Sequence, residues 1–122
     1  MWSNCLFVAL GGGLGDVGRY LLSLIAAPWS FPVMTLLTNF LGAVVIGAVA
    51  QAAGQLPMSK SAVLFLKTGL CGGFTTFSTF SLETVELLEQ GRWAAGGGYI
   101  LASVGLCLAG VLLGRALVWK IL

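Results

Sequence analysis

One stretch of the chain combines aromatic rings and hydroxyl groups at helical spacing. Residues 69–83 read GLCGGFTTFSTFSLE. Phe77 and Phe80 are three residues apart and share a helix face, with Ser78 and Thr79 beside them. The edge of a phenyl ring is electropositive, so ring edges and hydroxyl donors can attract a small anion without a fixed positive charge. On spacing alone, core packing of the two rings is the commoner arrangement, and periodicity does not separate the two interpretations.

The composition requires a surface that faces lipid. Of the 122 residues, 58% are apolar and 8% are charged, with a mean hydropathy of +1.01, whereas soluble domains carry roughly 25% charged residues. The chain has no histidine, which excludes His-dependent catalytic units and metal sites, and we expect no enzyme. Six Lys and Arg against four Asp and Glu, widely scattered, give no indication of a nucleic-acid partner.

Four apolar segments together form one domain, residues 1–122. No residue is charged from Tyr20 to Ser59, an interval about twice the ~20 residues that one membrane-crossing helix needs. It therefore turns back, and we expect the turn at residues 27–32, where two prolines disfavour helix and Trp29 suits the membrane interface. The predicted spans are residues 4–27, 33–53, 61–88 and 93–118, with a turn at residues 91–93 and both termini on one side.

Two adjacent glycines lie near the middle of the third span. Gly72 and Gly73 are weak helix formers, so the backbone is expected to open there. Inside a membrane, non-helical backbone is tolerated only where it is buried in protein or lines an ion or water site. Carbonyl oxygens bind hard cations, and two antiparallel copies meeting on a two-fold axis would double each carbonyl into a small cage.

The first span contains a glycine motif that matches the pattern of a dinucleotide-binding site. Residues 13–18 match G-x-G-x-x-G, but the fingerprint needs an acidic residue about twenty positions later, and none follows before Ser59. We therefore expect no nucleotide. Asp16 and Arg19 are three residues apart and can pair, as a functional or a structural pair. Three glycine pairs spaced by four residues predict close helix contacts: 11 with 15, 69 with 73, and 110 with 114.

The stretch at 69–83 resembles the signature of the fluoride-specific ion channels, the Fluc or CrcB family. Three further places are similar: GGGLGxxxRY at 11–20, TLxxNxxG at 35–42, and Tyr99 with Ser103 in the fourth span. The resemblance thus covers all four spans. Lys and Arg are only weakly biased between the two sides of the membrane, which permits insertion in both orientations.

The resemblance implies an all-α integral protein of the plasma membrane, with a break in the third of four helices, that forms an antiparallel homodimer. Fluoride would leave the cytoplasm passively along two pathways. Arg19 would draw anions into a vestibule, and Gly72 and Thr75 would offer backbone carbonyls to a structural sodium ion. The residues that the resemblance assigns to each fluoride pathway are Asn39, Phe77, Ser78, Thr79, Phe80, Glu83, Tyr99 and Ser103.

Some positions depart from the family pattern, and other functions stay open. Met34 stands where the family usually has glycine, Thr38 where an apolar residue is common, and Lys67 where arginine is frequent, so Lys67 receives no role. The alternative is a small multidrug-type proton-coupled antiporter, which needs a carboxylate within the membrane. Asp16 is the only acid in the first span, and Arg19 favours its charged form. A passive scaffold is a third class, and it would leave Asn39 without a purpose.

Overall fold

A computed structural model describes residues 1–25, 28 and 30–122, and the part it describes is helical without strands. Three helices are long and apolar enough to cross a membrane, which confirms an all-α, multi-pass membrane protein. Within the turn expected over residues 27–32, Ala27 and Trp29 lie outside the described residues. The elements are α1 (Trp2–Ser23), α2 (Val33–Gln55), α3 (Lys60–Val63), a π-helical segment (Leu64–Cys71), α4 (Gly72–Phe74), α5 (Phe77–Glu89) and α6 (Trp93–Ile121).

The third apolar segment is divided among several elements. Gly72 and Gly73 are helical, so the opening expected at these two glycines is wrong in position. Extended dihedral angles occur instead at Thr75 (φ −85°, ψ 157°) and Thr76 (φ −147°, ψ 122°), between α4 and α5. The physical reason is that Gly73 packs against the backbone of α1, whereas Thr76 is hydrogen-bonded to a residue of α2.

Glycines bring α1 and the third segment into backbone contact, as their spacing predicts. A Cβ on Gly11 would lie 2.3 Å from the carbonyl oxygen of Phe65, and one on Gly15 would lie 2.3 Å from that of Leu70. From the other side, Gly69 meets the carbonyl oxygen of Val8. Contacts advance along both helices in the same direction, so α1 and the third segment run parallel.

A second parallel pair is formed by α2 and α6. A Cβ on Gly110 would meet Phe40 and Ala43, and one on Gly114 would lie 1.9 Å from the carbonyl oxygen of Val44. Small residues allow this approach because they add no side chain between the two backbones. The C-terminal ends of α2 and α6 therefore lie together at one end of the protomer.

A tight turn reverses the chain between α5 and α6. Gly91 has a φ of +76°, a conformation that glycine adopts without steric cost, and the N–H of Arg92 donates to the carbonyl oxygen of Leu87. The predicted turn at residues 91–93 is confirmed. It sets α6 antiparallel to α5, so Tyr99 of α6 comes to lie against the first turn of α5, where Phe80 is located.

Candidate functional site

An amide from α2 holds the extended residues between α4 and α5. The N–H of Thr76 donates to Oδ1 of Asn39 at 2.8 Å, and Nδ2 of Asn39 donates to the carbonyl oxygen of Thr76 at 3.0 Å. Both backbone groups of Thr76 are thus satisfied without helical geometry. The Asn39 amide nitrogen carries two hydrogens, so one donor remains beyond the bond to Thr76.

Thr76 also starts helix α5. Its Oγ1 accepts a hydrogen bond from the N–H of Thr79 at 3.1 Å, the usual N-cap arrangement for threonine. Ser78 lies in the same turn, with its Oγ 3.4 Å from Oγ1 of Thr76. The cap fixes where α5 begins and therefore which way the two following phenylalanine rings project.

The rings of Phe77 and Phe80 are neighbours in very different surroundings. Their centroids are 5.5 Å apart with a 52° tilt. Phe80 is buried and packs on the ring of Tyr99 at 5.1 Å, in a small core with Leu87. Phe77 is 79% exposed. Core packing therefore explains Phe80 and does not explain Phe77.

Phe77 stands at the edge of a groove of about 620 Å³ between α2, α6 and the third segment. The groove brings together six of the predicted site residues: Asn39, Gly72, Thr75, Phe77, Phe80 and Ser103. Ser103 is 6% exposed, and its hydroxyl has no hydrogen-bond partner among the residues that the structure describes. A buried hydroxyl without a partner is costly. The Ser103 hydroxyl is therefore a candidate donor for a ligand in this groove.

Tyr99 and Glu83 form a separate polar pair deeper in the protomer. Tyr99 is fully buried, and its hydroxyl donates to Oε1 of Glu83 at 3.1 Å. The ring of Phe31 meets that of Tyr99 edge-on, with centroids 5.3 Å apart and planes at 80°. Tyr99 is therefore held between the aromatic rings and a carboxylate, and neither Tyr99 nor Glu83 lines the groove.

Arg19 lies on the other side of Thr76, in a small cavity of about 70 Å³. Its guanidinium donates to Oδ1 of Asp16 at 3.0 Å and to the carbonyl oxygen of Gly73 at 3.1 Å, which confirms the predicted pairing of Asp16 with Arg19. This cavity is also lined by Thr79 and by further hydroxyls, and Thr76 lines both it and the groove. The two cavities therefore meet at Thr76.

Gly72 and Thr75, the two residues expected to offer carbonyls to a cation, lie beside or within the extended backbone. Near the extended residues, and within the described part of the chain, three carbonyls accept hydrogen bonds: those of Cys71, Gly73 and Thr76. Gly72 and Thr75 both line the groove. Carbonyl oxygens of this kind suit a hard cation such as sodium.

Sequence reasoning missed two residues that shape this site. Thr76 is the partner of Asn39 and the cap of α5, and the signal for it was a threonine placed before a helical stretch. Gly42 makes room for Thr75, because a Cβ there would lie 2.2 Å from Cγ2 of Thr75. The motif at 35–42 includes Gly42, but nothing in its spacing indicates which side chain it accommodates.

Known proteins resemble this chain over almost its whole length. Residues 6–115 match the family described as CrcB-like protein, Camphor Resistance (CrcB). The chain belongs to the CrcB family. The CrcB match includes every residue of the groove, the Asn39–Thr76 contact and the Arg19 cavity.

Three relatives are identical to this chain at 44–47% of the aligned positions. A protein of Roseiflexus sp. is 47% identical over 115 residues, covering 91% of this chain and 93% of its own. One from Shewanella frigidimarina is 46% identical over 122 residues, covering 97% and 98%, and one from Gluconobacter oxydans is 44% identical over 120 residues, covering 93% and 83%. All three bear the name fluoride-specific ion channel FluC.

Proposed function

We propose that the chain forms a fluoride-selective ion channel through which fluoride leaves the cytoplasm passively. The names of its CrcB relatives support fluoride as the ion. The observation that carries the proposal is the position of Phe77, whose ring is 79% exposed beside Asn39, Thr76 and Ser103. An exposed ring close to hydrogen-bond donors that have no partner is better suited to line an ion pathway than to pack in a hydrophobic core.

The donors beside Phe77 along this path are neutral, although Lys67 lines another part of the same groove. Asn39 keeps one amide hydrogen after bonding Thr76, Ser103 keeps its hydroxyl, and Phe77 presents an electropositive ring edge. A small anion can exchange its hydration shell for these three neutral groups. The charge of Arg19 is shared with Asp16 at the next cavity, where it would raise the local anion concentration.

We further propose that two copies assemble as an antiparallel homodimer in the plasma membrane. The groove is open along one side of the protomer, and Gly72, Thr68 and Phe77 are exposed along it. A second copy on this side would close the groove and would bring the partner's rings and hydroxyls to it. The weak bias of Lys and Arg between the two sides permits the opposite orientations that such a pair requires.

We propose in addition that a structural sodium ion binds the backbone carbonyls of Gly72 and Thr75. Both residues line the groove, and backbone carbonyls are oxygen ligands of the type that sodium takes. When bound, the ion would supply positive charge to these two carbonyl oxygens. Within one protomer, Thr75 is positioned for this by the bond of its hydroxyl to the carbonyl oxygen of Cys71 and by its packing against Gly42.

Charge movement distinguishes this channel from a proton-coupled antiporter. Liposomes with purified protein, loaded with potassium fluoride and diluted into fluoride-free buffer, should release fluoride rapidly only after valinomycin lets potassium follow. The reason is that passive anion flow carries net charge and stops when a voltage builds up. A fluoride electrode measures the release, with protein-free liposomes as the control. Release driven by an imposed pH gradient without valinomycin would contradict the channel and favour the antiporter.

A further inference from the structure

The two ends of the protomer differ in charge because the acidic residues lie at one end only, where Arg19 and Arg92 are also found. Asn4 of α1 accepts a hydrogen bond from Ser61, so α1 and α3 begin at the same end, and the α5–α6 turn brings α6 back to finish there. The halves of the helical segments nearest this end contain no acidic residue. They contain four cationic residues: Lys60, Lys67, Arg115 and Lys120. All four acidic residues lie in the opposite halves of their helices: Asp16, Glu83, Glu86 and Glu89.

A cavity of about 310 Å³ opens at this cationic end between α2 and α6. Its lining residues are Gln51 of α2 and Arg115, Ala116, Trp119 and Lys120 of α6. The one salt bridge among the described residues is that of Asp16 with Arg19, and Gln51 of the cavity lining donates a hydrogen bond to Gln55. Arg115 and Lys120 thus face the cavity without a counter-charge from any residue that the structure describes.

This cavity spans the boundary between the hydrocarbon core and the lipid headgroups. Helix α6 has 29 residues and is about 43 Å long at 1.5 Å per residue, whereas the hydrocarbon core is about 30 Å thick. With its middle residue, Cys107, at the bilayer centre, Arg115 lies about 12 Å and Lys120 about 20 Å from the centre. Trp119 is 69% exposed between them, which is typical of an interfacial residue.

We infer that this cavity binds the phosphate headgroup of an anionic phospholipid. Arg115 and Lys120 supply charge-assisted donors for the phosphate, and Gln51 adds an amide. The exposed apolar surface of α6 beside it, at Leu112 and Trp119, offers a continuous path for the acyl chains. Basic pockets between helices at membrane ends suit such headgroups. A free phosphate ion shares the recognition chemistry but would not use this apolar surface.

Native mass spectrometry of the purified protein with added phosphatidylglycerol or phosphatidylcholine tests this inference without measuring flux. The wild-type protein should retain phosphatidylglycerol in preference to phosphatidylcholine. Arg115→Gln should weaken phosphatidylglycerol retention about fivefold, because one cation near the surface contributes about that factor, whereas Arg115→Lys should keep most of it. The matched control is Lys60→Gln, which removes the same charge at the same end outside the cavity and should leave retention unchanged.

Several outcomes would overturn the assignment. Equal retention of the two lipids would exclude a headgroup site, and an equal loss in Lys60→Gln would show attraction to the whole end rather than to the cavity. Displacement of the lipid by millimolar inorganic phosphate would identify free phosphate as the ligand. If Arg115→Gln does not purify, Lys120→Gln is subject to the same expectations, because Lys120 is exposed at the last turn of α6. Each result is independent of which ion the protein conducts.

Discussion

Replacing Asn39 with leucine should reduce fluoride flux by about 10- to 150-fold, the range that corresponds to one lost hydrogen bond to a charged group. The same change should lower the free energy of unfolding by about 2 to 6 kcal/mol, since it leaves the N–H and the carbonyl of Thr76 unpaired. Fluoride release from liposomes measures the first effect, and the thermal melting of the purified protein measures the second.

Two further variants separate the roles of the Asn39 amide. Asn39→Asp keeps an acceptor for the N–H of Thr76 but loses the donor, so flux should fall although the N–H stays paired. Asn4→Leu is the matched control, because Asn4 makes a single long hydrogen bond to Ser61 at 3.4 Å, far from the groove, and its flux should stay near that of the wild type. Full flux in Asn39→Leu would contradict a role for this amide in conduction.

Replacing Phe77 with isoleucine should reduce fluoride flux about tenfold, because the electropositive ring edge is lost and we take its contact with the anion as equal to that of an aromatic pair, up to about 1.5 kcal/mol. Stability should change little, since the ring is 79% exposed in the protomer. This variant tests ring chemistry more cleanly than Phe80→Ile, which removes a buried ring packed on Tyr99 and should lower both flux and melting temperature. Flux is read from liposomes and stability from melting.

The control for Phe77 uses the same substitution on another helix. Phe7→Ile changes a partly exposed ring on α1, away from the groove, and should leave fluoride flux unchanged. If Phe77→Ile conducts normally while Phe80→Ile loses stability, the two phenylalanines act through packing alone. A joint loss of flux in Phe7→Ile would instead indicate a general effect of ring removal on the fold.

Local spacing predicted the helix contacts of this fold successfully. Glycines four residues apart lie on one helix face by geometry alone, so the contacts made through Gly11, Gly69 and Gly114 were visible in the sequence. The pairing of Asp16 with Arg19 follows from the same rule. The turn at Gly91 was also predictable, because its positive φ suits glycine.

Features that depend on distant residues could not be predicted in the same way. The extended backbone at Thr75 and Thr76 is held by Asn39, 37 residues before Thr76, whereas local propensity pointed to the two preceding glycines. Spacing likewise did not predict any difference between Phe77 and Phe80. Their burial differs because Tyr99, brought back by the α5–α6 turn, covers only Phe80.

The central claim of a fluoride-selective pathway is tested most directly by comparing two anions in the same liposomes. Vesicles that contain purified protein, fluoride and chloride are diluted with valinomycin present, and ion-selective electrodes record both anions. The account predicts rapid release of fluoride with chloride retained, because neutral donors around Asn39, Phe77 and Ser103 suit a small anion. Release of both anions at equal rates, or of neither, would contradict it.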